Sequence, residues 1–317
     1  MKFRNVPKVG FLLLAISFFT ACSKDNNDKD LNNPANDGYA TAVYVSDAPI
    51  DNASVQGVFV TITGVSVNGK AIDGFNKTTV NLSSLQNGNT QLLGDMKLQS
   101  GTTSDIKLTL DGSADANGDA PGNYILMADG TKQALTSDSN EISVNDNAEI
   151  KENDNNELVL DFDLRKAIVS NSSNEFGFVS NSELSNSIRA VNTLNAGTIK
   201  GNVDNSSSSE TMVVYAYKKG SYSSSEADAA GDSGVRFANA VTSSVVNGSG
   251  DFQLNFMEAG DYELHLASYS DSNNDGKIEF QGMLQASSDT AIDLQDVSVD
   301  ANSETEVQIS VSGLLNL

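Results

Sequence analysis

The chain has 317 residues, 38% of them hydrophobic, and a formal net charge of -23. This length and apolar content suffice for two hydrophobic cores of ordinary size. A strongly acidic surface repels the phosphates of nucleic acids and of anionic lipid headgroups, so nucleic acid is excluded as a partner and the polypeptide surface itself is not expected to bind membranes.

The first 21 residues have the features of a secretory signal. Three basic side chains and no acidic one precede an apolar stretch at 9–19, and Ala21 then precedes Cys22, the single cysteine. The apolar stretch is shorter than the about 20 residues that a transmembrane helix needs. Ala21-Cys22 resembles the lipobox of bacterial lipoproteins, whose cysteine is acylated after cleavage. We therefore predict a signal peptide at 1–21 and lipidation at Cys22; the alternative is an ordinary cleaved signal with an incidental cysteine.

Residues 22–38 are predicted to form the acylated cysteine and a flexible tether, because they contain almost no apolar side chain. The acidic character of this segment resembles the export signal that sends lipoproteins of Bacteroidota to the outer cell surface. The resemblance implies an outer-membrane lipoprotein, held by its N-terminal lipid and exposed at the surface. An orientation toward the periplasm is the alternative.

From residue 39 to residue 192 the sequence alternates apolar and polar positions with the period of β-strands. The longest strand candidate is 55–67, and Asn68-Gly69 after it predicts a hairpin turn. A short helix is considered at 91–98, and the polar segment 136–156 is expected to be a peripheral strand or a long loop. Other strands are predicted at 41–45, 79–82, 105–110, 124–127 and 158–162.

A second unit is predicted at 193–317, with a long Ser- and Ala-rich loop at 218–234. Its strands are expected at 199–203, 212–217, 237–246, 251–256, 261–269 and 307–311. Many short strands separated by turn residues are typical of β-sandwiches. The predicted fold is therefore all-β, with two β-sandwich domains at 39–192 and 193–317 after the signal peptide and tether.

Four ordered blocks of residues carry a family resemblance in the first domain. They are 43–49 with 58–62, then 105–108, then 160–163 with 167–169, and finally 188–189. Together they resemble a family of bacterial lipoproteins with domain of unknown function 4382. Ala167 stands where the family has Ser, and Thr102-Thr103 stand where a Tyr is expected. The resemblance implies an all-β lipoprotein domain and no activity, because the family has none assigned.

The second domain carries a different resemblance. The residues concerned are Gly197–Val203, Gly250-Asp251-Phe252 and Ala259–Leu264. They are similar to the carboxypeptidase-regulatory or transthyretin-like β-sandwich. This resemblance implies an accessory, non-catalytic module.

The segment 271–279 has the spacing of a calcium-binding loop, with oxygen-bearing side chains at alternate positions and a glycine at the sharp turn. Position twelve is Gly282 rather than a bidentate Glu, so we predict a loop between strands and not an EF-hand. Affinity is expected in the range of extracellular modules, about 10⁻⁴–10⁻³ M. The alternative is a solvated turn without an ion. The predicted ligands are Asp271, Asn273, Asp275, the carbonyl of Lys277, and Glu279 directly or through water.

Other polar residues favour structural roles over catalysis. Asp115–Asp119 is expected to be a turn. Asp161 and Asp163 flank Phe162, so in a strand both carboxylates project from one face while Phe162 enters the core. We expect the face of the two carboxylates to be solvated, although paired acids also occur in glycosidases. His265, the single histidine, is expected to be exposed. No catalytic residue is predicted.

These features favour a non-catalytic, lipid-anchored envelope protein with a binding or adhesion role. Its partner is predicted to be an extracellular ligand or an envelope protein, and calcium is the one cofactor candidate. The alternatives are a carboxylate-dependent enzyme acting on glycans and a structural subunit of an outer-membrane complex. The absence of tryptophan disfavours the enzyme, because sugar rings commonly stack on aromatic side chains.

Replacing Cys22 by Ser is expected to abolish lipidation, because the thiol is the acyl acceptor. Labelling cells with a radioactive fatty acid should mark the parent protein and not the variant Cys22→Ser. The variant should also be absent from the membrane fraction. Ser23→Ala is the control and should label normally. Equal labelling of both variants would contradict a lipid anchor at Cys22.

Overall fold

A computed structural model describes residues 38–48, 55–153, 155–170, 175–204, 210–229, 233–272 and 278–315. Cys22, the predicted signal peptide and nearly all of the predicted tether lie outside these ranges. The described residues belong to one compact unit. None of the helices in these ranges has the length and hydrophobicity that crossing a membrane would require.

The first half of the described chain is a β-sandwich with two short helices, α1 (Leu164–Ala167) and α2 (Asn181–Asn186), and a 3₁₀ turn at Leu82–Ser84. Its strands are β1 (Tyr39–Ala48), β2 (Val55–Val67), β3 (Lys70–Ala71), β4 (Thr78–Asn81), β5 (Gln91–Leu98), β6 (Gly101–Thr103), β7 (Ile106–Leu110), β8 (Tyr124–Met127), β9 (Lys132–Ala134), β10 (Glu141–Val144), β11 (Ala148–Ile150), β12 (Asn156–Asp163), β13 (Ile168–Ser170), β14 (Phe176–Phe178) and β15 (Ile188–Asn192).

Two sheets enclose the core of this first sandwich. One has the strand order β15-β12-β1-β5, and the other has the order β10-β7-β2-β8-β9, with β3 and β4 also paired to β2. β1 runs parallel to β12, which aligns Val43 with Leu158 and Val45 with Leu160. These four side chains are fully buried, because residues two apart on a strand share a face.

The second half is another β-sandwich, preceded by a 3₁₀ turn at Thr193–Asn195 and carrying a second one at Ser224–Ala227. The strand order is β18-β17-β20-β21-β23-β16-β19, with β22 paired to β20 and with β16 parallel to β23. The strands are β16 (Ala196–Asp204), β17 (Thr211–Lys218), β18 (Thr242–Val245), β19 (Asp251–Glu258), β20 (Gly260–Ser270), β21 (Glu279–Ser288), β22 (Val297–Val299) and β23 (Glu304–Leu314).

The strand β17 is buried on both faces, which explains its nearly continuous apolar sequence. Met212, Val214 and Ala216 face the apolar core of the second half, which also contains Ile199 and Leu254. Tyr215 and Tyr217 instead belong to a second cluster on the opposite face. That cluster includes Phe237, whose ring stacks on Tyr215 at a centroid distance of 4.2 Å. Part of the segment between β17 and β18 thus covers the outer face of the sheet.

The predicted all-β class with two sandwiches is confirmed. β2 spans the predicted 55–67, and Asn68-Gly69 forms a turn in which both residues have positive φ. The helix considered at 91–98 is wrong, because these residues form β5 and pair with β1. The strand expected at 237–246 is confined to 242–245, since Phe237 has a φ of 53° and ends any extended run there.

Replacing Leu108 by Ala is expected to destabilise the first sandwich by about 2–5 kcal/mol, because the side chain is fully buried and its removal leaves a cavity. Leu92→Ala deletes the same atoms at a position that is 48% exposed and should change stability by less than about 1 kcal/mol. Denaturant unfolding of both variants tests this contrast. Similar losses would contradict the observed placement of the core.

Candidate functional site

An ionic junction joins the two sandwiches. Asp161 on β12 lies opposite Arg189 on β15 in the antiparallel register, and Nη2 of Arg189 donates to Oδ2 of Asp161 at 2.5 Å. Nη1 of the same guanidinium donates to the carbonyl oxygen of Phe256 in the second sandwich at 2.9 Å. Arg189 therefore binds a carboxylate of one sandwich and a backbone carbonyl of the other.

Two further basic side chains repeat this arrangement around Asp163. Nη2 of Arg165 donates to Oδ2 of Asp163 at 2.8 Å, and Nη1 donates to the carbonyl oxygens of Arg236 at 2.6 Å and Phe237 at 3.1 Å. Nζ of Lys166 lies 3.4 Å from Oδ2 of Asp163. It also donates to the carbonyl oxygen of Ala240 at 2.5 Å. The turn of α1 places both bases beside the aspartate that precedes it.

Burial sets the protonation behaviour of this junction. Burial raises the pKa of Asp161 above its ordinary value although Arg189 opposes the change. Burial also acts to raise the pKa of Asp163, but Arg165 and Lys166 outweigh it, so the net shift is downward. Burial lowers the pKa of Lys166 to about 8, against the attraction of Asp163. The junction is thus a buried set of charges that are held by mutual pairing.

The expectation that Asp161 and Asp163 lie on a solvated face is wrong. Both residues are 5% exposed, because the second sandwich covers the face of β12 opposite the core. Phe162 does enter the core, as predicted. The sequence contained one signal for the junction, because Arg165 and Lys166 follow closely after the two aspartates. The other partners lie on β15 and in the second sandwich, which are distant along the chain, so no local pattern could indicate them.

Asp47, near the end of β1, is a further buried carboxylate, with 5% exposure, and is aligned with Phe162 of β12. No described residue donates a hydrogen bond of normal geometry to either of its oxygens. Burial raises its pKa well above the ordinary value, and repulsion from Asp161 and Asp163 adds to this, against a weaker opposing effect of the backbone N–H of Leu164.

A groove of about 610 Å³ runs along the same side of the molecule. Its lining comes from the loop after the Leu82–Ser84 turn and from β16, β18, β19 and β23. Three of the lining residues are charged, namely Lys200, Asp251 and Glu306. Six carry side-chain amides, namely Gln86, Asn87, Asn202, Asn247, Gln253 and Gln308. Asn87, Ser244 and Gln253 also line a small inner cavity that reaches Asp47 and Asp161. The arrangement offers hydrogen-bond donors and acceptors to a polar ligand.

His265 is largely buried, in contrast to the prediction. Its side chain is 16% exposed, and Tyr222 stacks on its ring at a centroid distance of 3.6 Å. Nε2 lies 3.5 Å from Oε2 of Glu263, whose Oε1 accepts the backbone N–H of Tyr222 at 2.7 Å. Burial lowers the pKa of His265, and Glu263 partly opposes this. The segment after β17 covers the histidine, which alternation along the strand could not indicate.

Most of the residues predicted from motifs lie outside the described ranges. Cys22 and three of the five predicted calcium ligands, Asn273, Asp275 and Lys277, fall outside the described residues. Asp271 and Glu279 are described, and Oε2 of Glu279 accepts the backbone N–H of Ser272 at 3.3 Å. The calcium loop therefore stays a prediction. Within the described ranges, no group of three or more His, Cys, Asp or Glu side chains has a metal-binding arrangement.

The segment at Asp115 forms a turn. Oδ1 of Asp115 accepts the backbone N–H groups of Asn117 and Asp119, each at 2.9 Å. The hydrogen bond from the backbone N–H of Asp119 lowers the pKa of Asp115, and burial only partly opposes this shift. The carboxylate is thus occupied by its own loop.

A family model described as "Domain of unknown function (DUF4382)" matches residues 40–179. The predicted resemblance to this family is thereby confirmed for residues 40–179, whereas the predicted block at 188–189 lies outside the match. No curated protein matches the chain.

Solved structures give only distant likenesses. A leucine-rich repeat protein from Bacteroides thetaiotaomicron has 11% identity and a TM-score of 0.23, with 88% of this chain and 27% of that chain covered. The major pilin subunit BcpA of Bacillus cereus has 10% identity and a TM-score of 0.23, with 86% and 70% covered. The minor pilin GBS52 of Streptococcus agalactiae has 10% identity and a TM-score of 0.22, with 88% and 98% covered. The chain thus spans about a quarter of the repeat protein, and scores this low carry no functional argument.

Replacing Arg189 by Met is expected to destabilise the protein by about 3–5 kcal/mol, because it leaves Asp161 buried without its partner. Replacing both residues, in Arg189→Met with Asp161→Leu, should recover much of the loss, since no buried charge is then left alone. Equilibrium unfolding of the variants measures this. Lys107→Met is the control, because Lys107 forms an exposed pair with Glu141 at 3.2 Å that should contribute at most about 1 kcal/mol. A similar loss for both single variants would contradict the junction.

Acidification is expected to lower the free energy of unfolding more in the parent protein than in the variant His265→Phe. Because the pKa of His265 is lower in the folded state than its ordinary value of 6.5, the unfolded chain binds more protons there. The stability that neutral His265 contributes is therefore fully present above the ordinary pKa and is lost as the pH falls below it. This is tested by measuring the free energy of unfolding of both proteins from about pH 8 to about pH 5. Phe is chosen because it keeps an aromatic ring that can stack on Tyr222. Parallel pH profiles would contradict a buried, neutral histidine.

Proposed function

We propose that this protein is a non-catalytic, lipid-anchored protein of the outer membrane, exposed at the cell surface, that binds an extracellular ligand in the groove between its two sandwiches. The observation that carries the binding role is the amide-lined groove of about 610 Å³. The lipobox-like Ala21-Cys22 and the acidic segment after it support the anchor and the location.

The lining of the groove indicates how the ligand is recognised. Amide side chains donate and accept hydrogen bonds and carry no charge, so they suit a ligand with many hydroxyl or amide groups. Phe252, the aromatic residue of the lining, is 4% exposed and offers little surface for stacking. We therefore favour glycans recognised through their hydroxyl groups as the first class to test.

The carboxylates at the junction fit a structural role better than catalysis. Asp161 and Asp163 are buried and paired with Arg189, Arg165 and Lys166. A glycosidase needs two carboxyl groups that flank a sugar bond in an accessible cleft. The second sandwich, as a carboxypeptidase-regulatory-like module, would then supply a binding surface, and calcium bound by residues of 271–279 would stiffen that segment.

Binding is tested on a glycan array with the parent protein and two matched variants. Gln308→Ala removes an exposed amide of the groove, and Gln285→Ala removes an exposed amide of β21 outside the groove lining. The proposal expects binding that Gln308→Ala weakens and Gln285→Ala leaves unchanged. Equal binding by both variants would contradict the groove as the site, and turnover of chromogenic glycosides would contradict a non-catalytic role.

Location and the calcium loop need separate measurements. Protease treatment of intact cells should degrade the protein, whereas complete protection would contradict surface exposure. Calcium should raise the melting temperature of the purified protein by mass action. Asp275→Ala should reduce this rise, and an unchanged calcium response would contradict the loop site.

A further inference from the structure

The floor of the groove is one face of the three neighbouring strands β23, β16 and β19. Ile199, Leu254 and Val307 of these strands belong to the apolar core. Because side chains alternate along a strand, the residues on either side of them face away from the core. The registers arrange the groove-lining residues of this face in two rows of three, which are Glu306, Lys200 and Gln253 in the first row and Gln308, Asn202 and Asp251 in the second.

The positive charge on this floor is neutralised from outside the groove. Nζ of Lys200 forms an ion pair with the carboxylate of Glu304, which is not part of the lining. Lys200 therefore adds little net charge to the floor, although it is aligned with Glu306 in the parallel pair of β16 and β23.

Two carboxylates on the floor keep a negative charge without a cationic partner. Glu306 and Asp251 are exposed, and neither takes part in an ion pair with another described residue. Asp251 accepts a hydrogen bond from Nδ2 of Asn202 at 2.8 Å, which leaves its charge in place. The two carboxylates lie at opposite corners of the two rows, on strands that are two strand spacings, or about 10 Å, apart.

We propose that the ligand of the groove is an oligosaccharide with free amino groups, such as an oligomer of glucosamine, and that Glu306 and Asp251 bind two of its ammonium groups. This inference rests on the proposed function, because it takes the groove as the ligand site and specifies what the ligand carries. The amide side chains of both rows bind sugar hydroxyl groups, and the carboxylates select for the positive charge. The net charge of -23 of the chain adds a long-range attraction for such a ligand.

Calorimetric titration of the purified protein with a matched pair of oligosaccharides tests this proposal. The glucosamine trimer carries a protonated amine on every sugar, and the N-acetylglucosamine trimer has the same sugar chain without these charges. We expect the glucosamine trimer to bind more tightly than the acetylated trimer, and more tightly than single glucosamine, because the two carboxylates are far apart. Added salt should weaken this binding, since exposed charges are screened. Equal affinities for the two trimers would overturn the proposal.

Glu306→Gln is expected to weaken binding of the glucosamine trimer by about two- to fivefold, as for the loss of an exposed ion pair. Adding Asp251→Asn should weaken it further. Both substitutions keep the shape of the side chain and its capacity to accept hydrogen bonds. Glu152→Gln is the matched control, because it removes the same charge from an exposed position outside the groove, and should leave the affinity unchanged. A double variant that binds the glucosamine trimer like the parent protein would overturn the proposal.

The same titrations separate failure of this proposal from failure of the proposed function. If the acetylated trimer binds equally well and Gln308→Ala weakens it, the groove stays a glycan site and only the choice of ligand is overturned. If the glucosamine trimer binds but Gln308→Ala and the double variant both leave its affinity unchanged, the groove itself is contradicted. If neither trimer binds, the proposal is overturned, and the groove is then judged on the glycan array alone.

Discussion

The hydrogen bonds that Arg165, Lys166 and Arg189 donate across the junction are the interaction on which the arrangement of the two sandwiches depends. Each base pairs with an aspartate of the first sandwich and also donates to a backbone carbonyl of the second. Buried ion pairs contribute little net stability when complete, but an incomplete pair is costly. Any arrangement that separates the two sandwiches therefore costs free energy, because it leaves buried charges without their partners.

The groove is a consequence of this junction. Gln86 and Asn87 belong to the first sandwich and face the polar residues of β16, β19 and β23. The first sandwich contributes Gln86 and Asn87 to the lining, and the second sandwich contributes the other residues. Rigid positioning of the two halves is what a binding site on this surface requires.

Much of the secondary structure could be predicted from local pattern. β2 and β8 have the predicted bounds, and the hairpin turn at Asn68-Gly69 follows from the tolerance of these residues for positive φ. The segment 91–98 was ambiguous because short apolar runs suit either a helix or a strand. Pairing with β1 resolves it, and that pairing joins residues about fifty positions apart.

The sequence by itself determined the all-β class, the positions of most strands and the side of each strand that carries apolar residues, because alternation is a local property of the extended chain. It placed Phe162 in the core and Asp161 and Asp163 on the opposite face. Only the tertiary structure decided that this face is covered by a second sandwich, that Asp47 is buried, and that His265 lies under Tyr222. Whether a polar face meets water or another sheet depends on contacts between residues far apart in the chain, which no local pattern records.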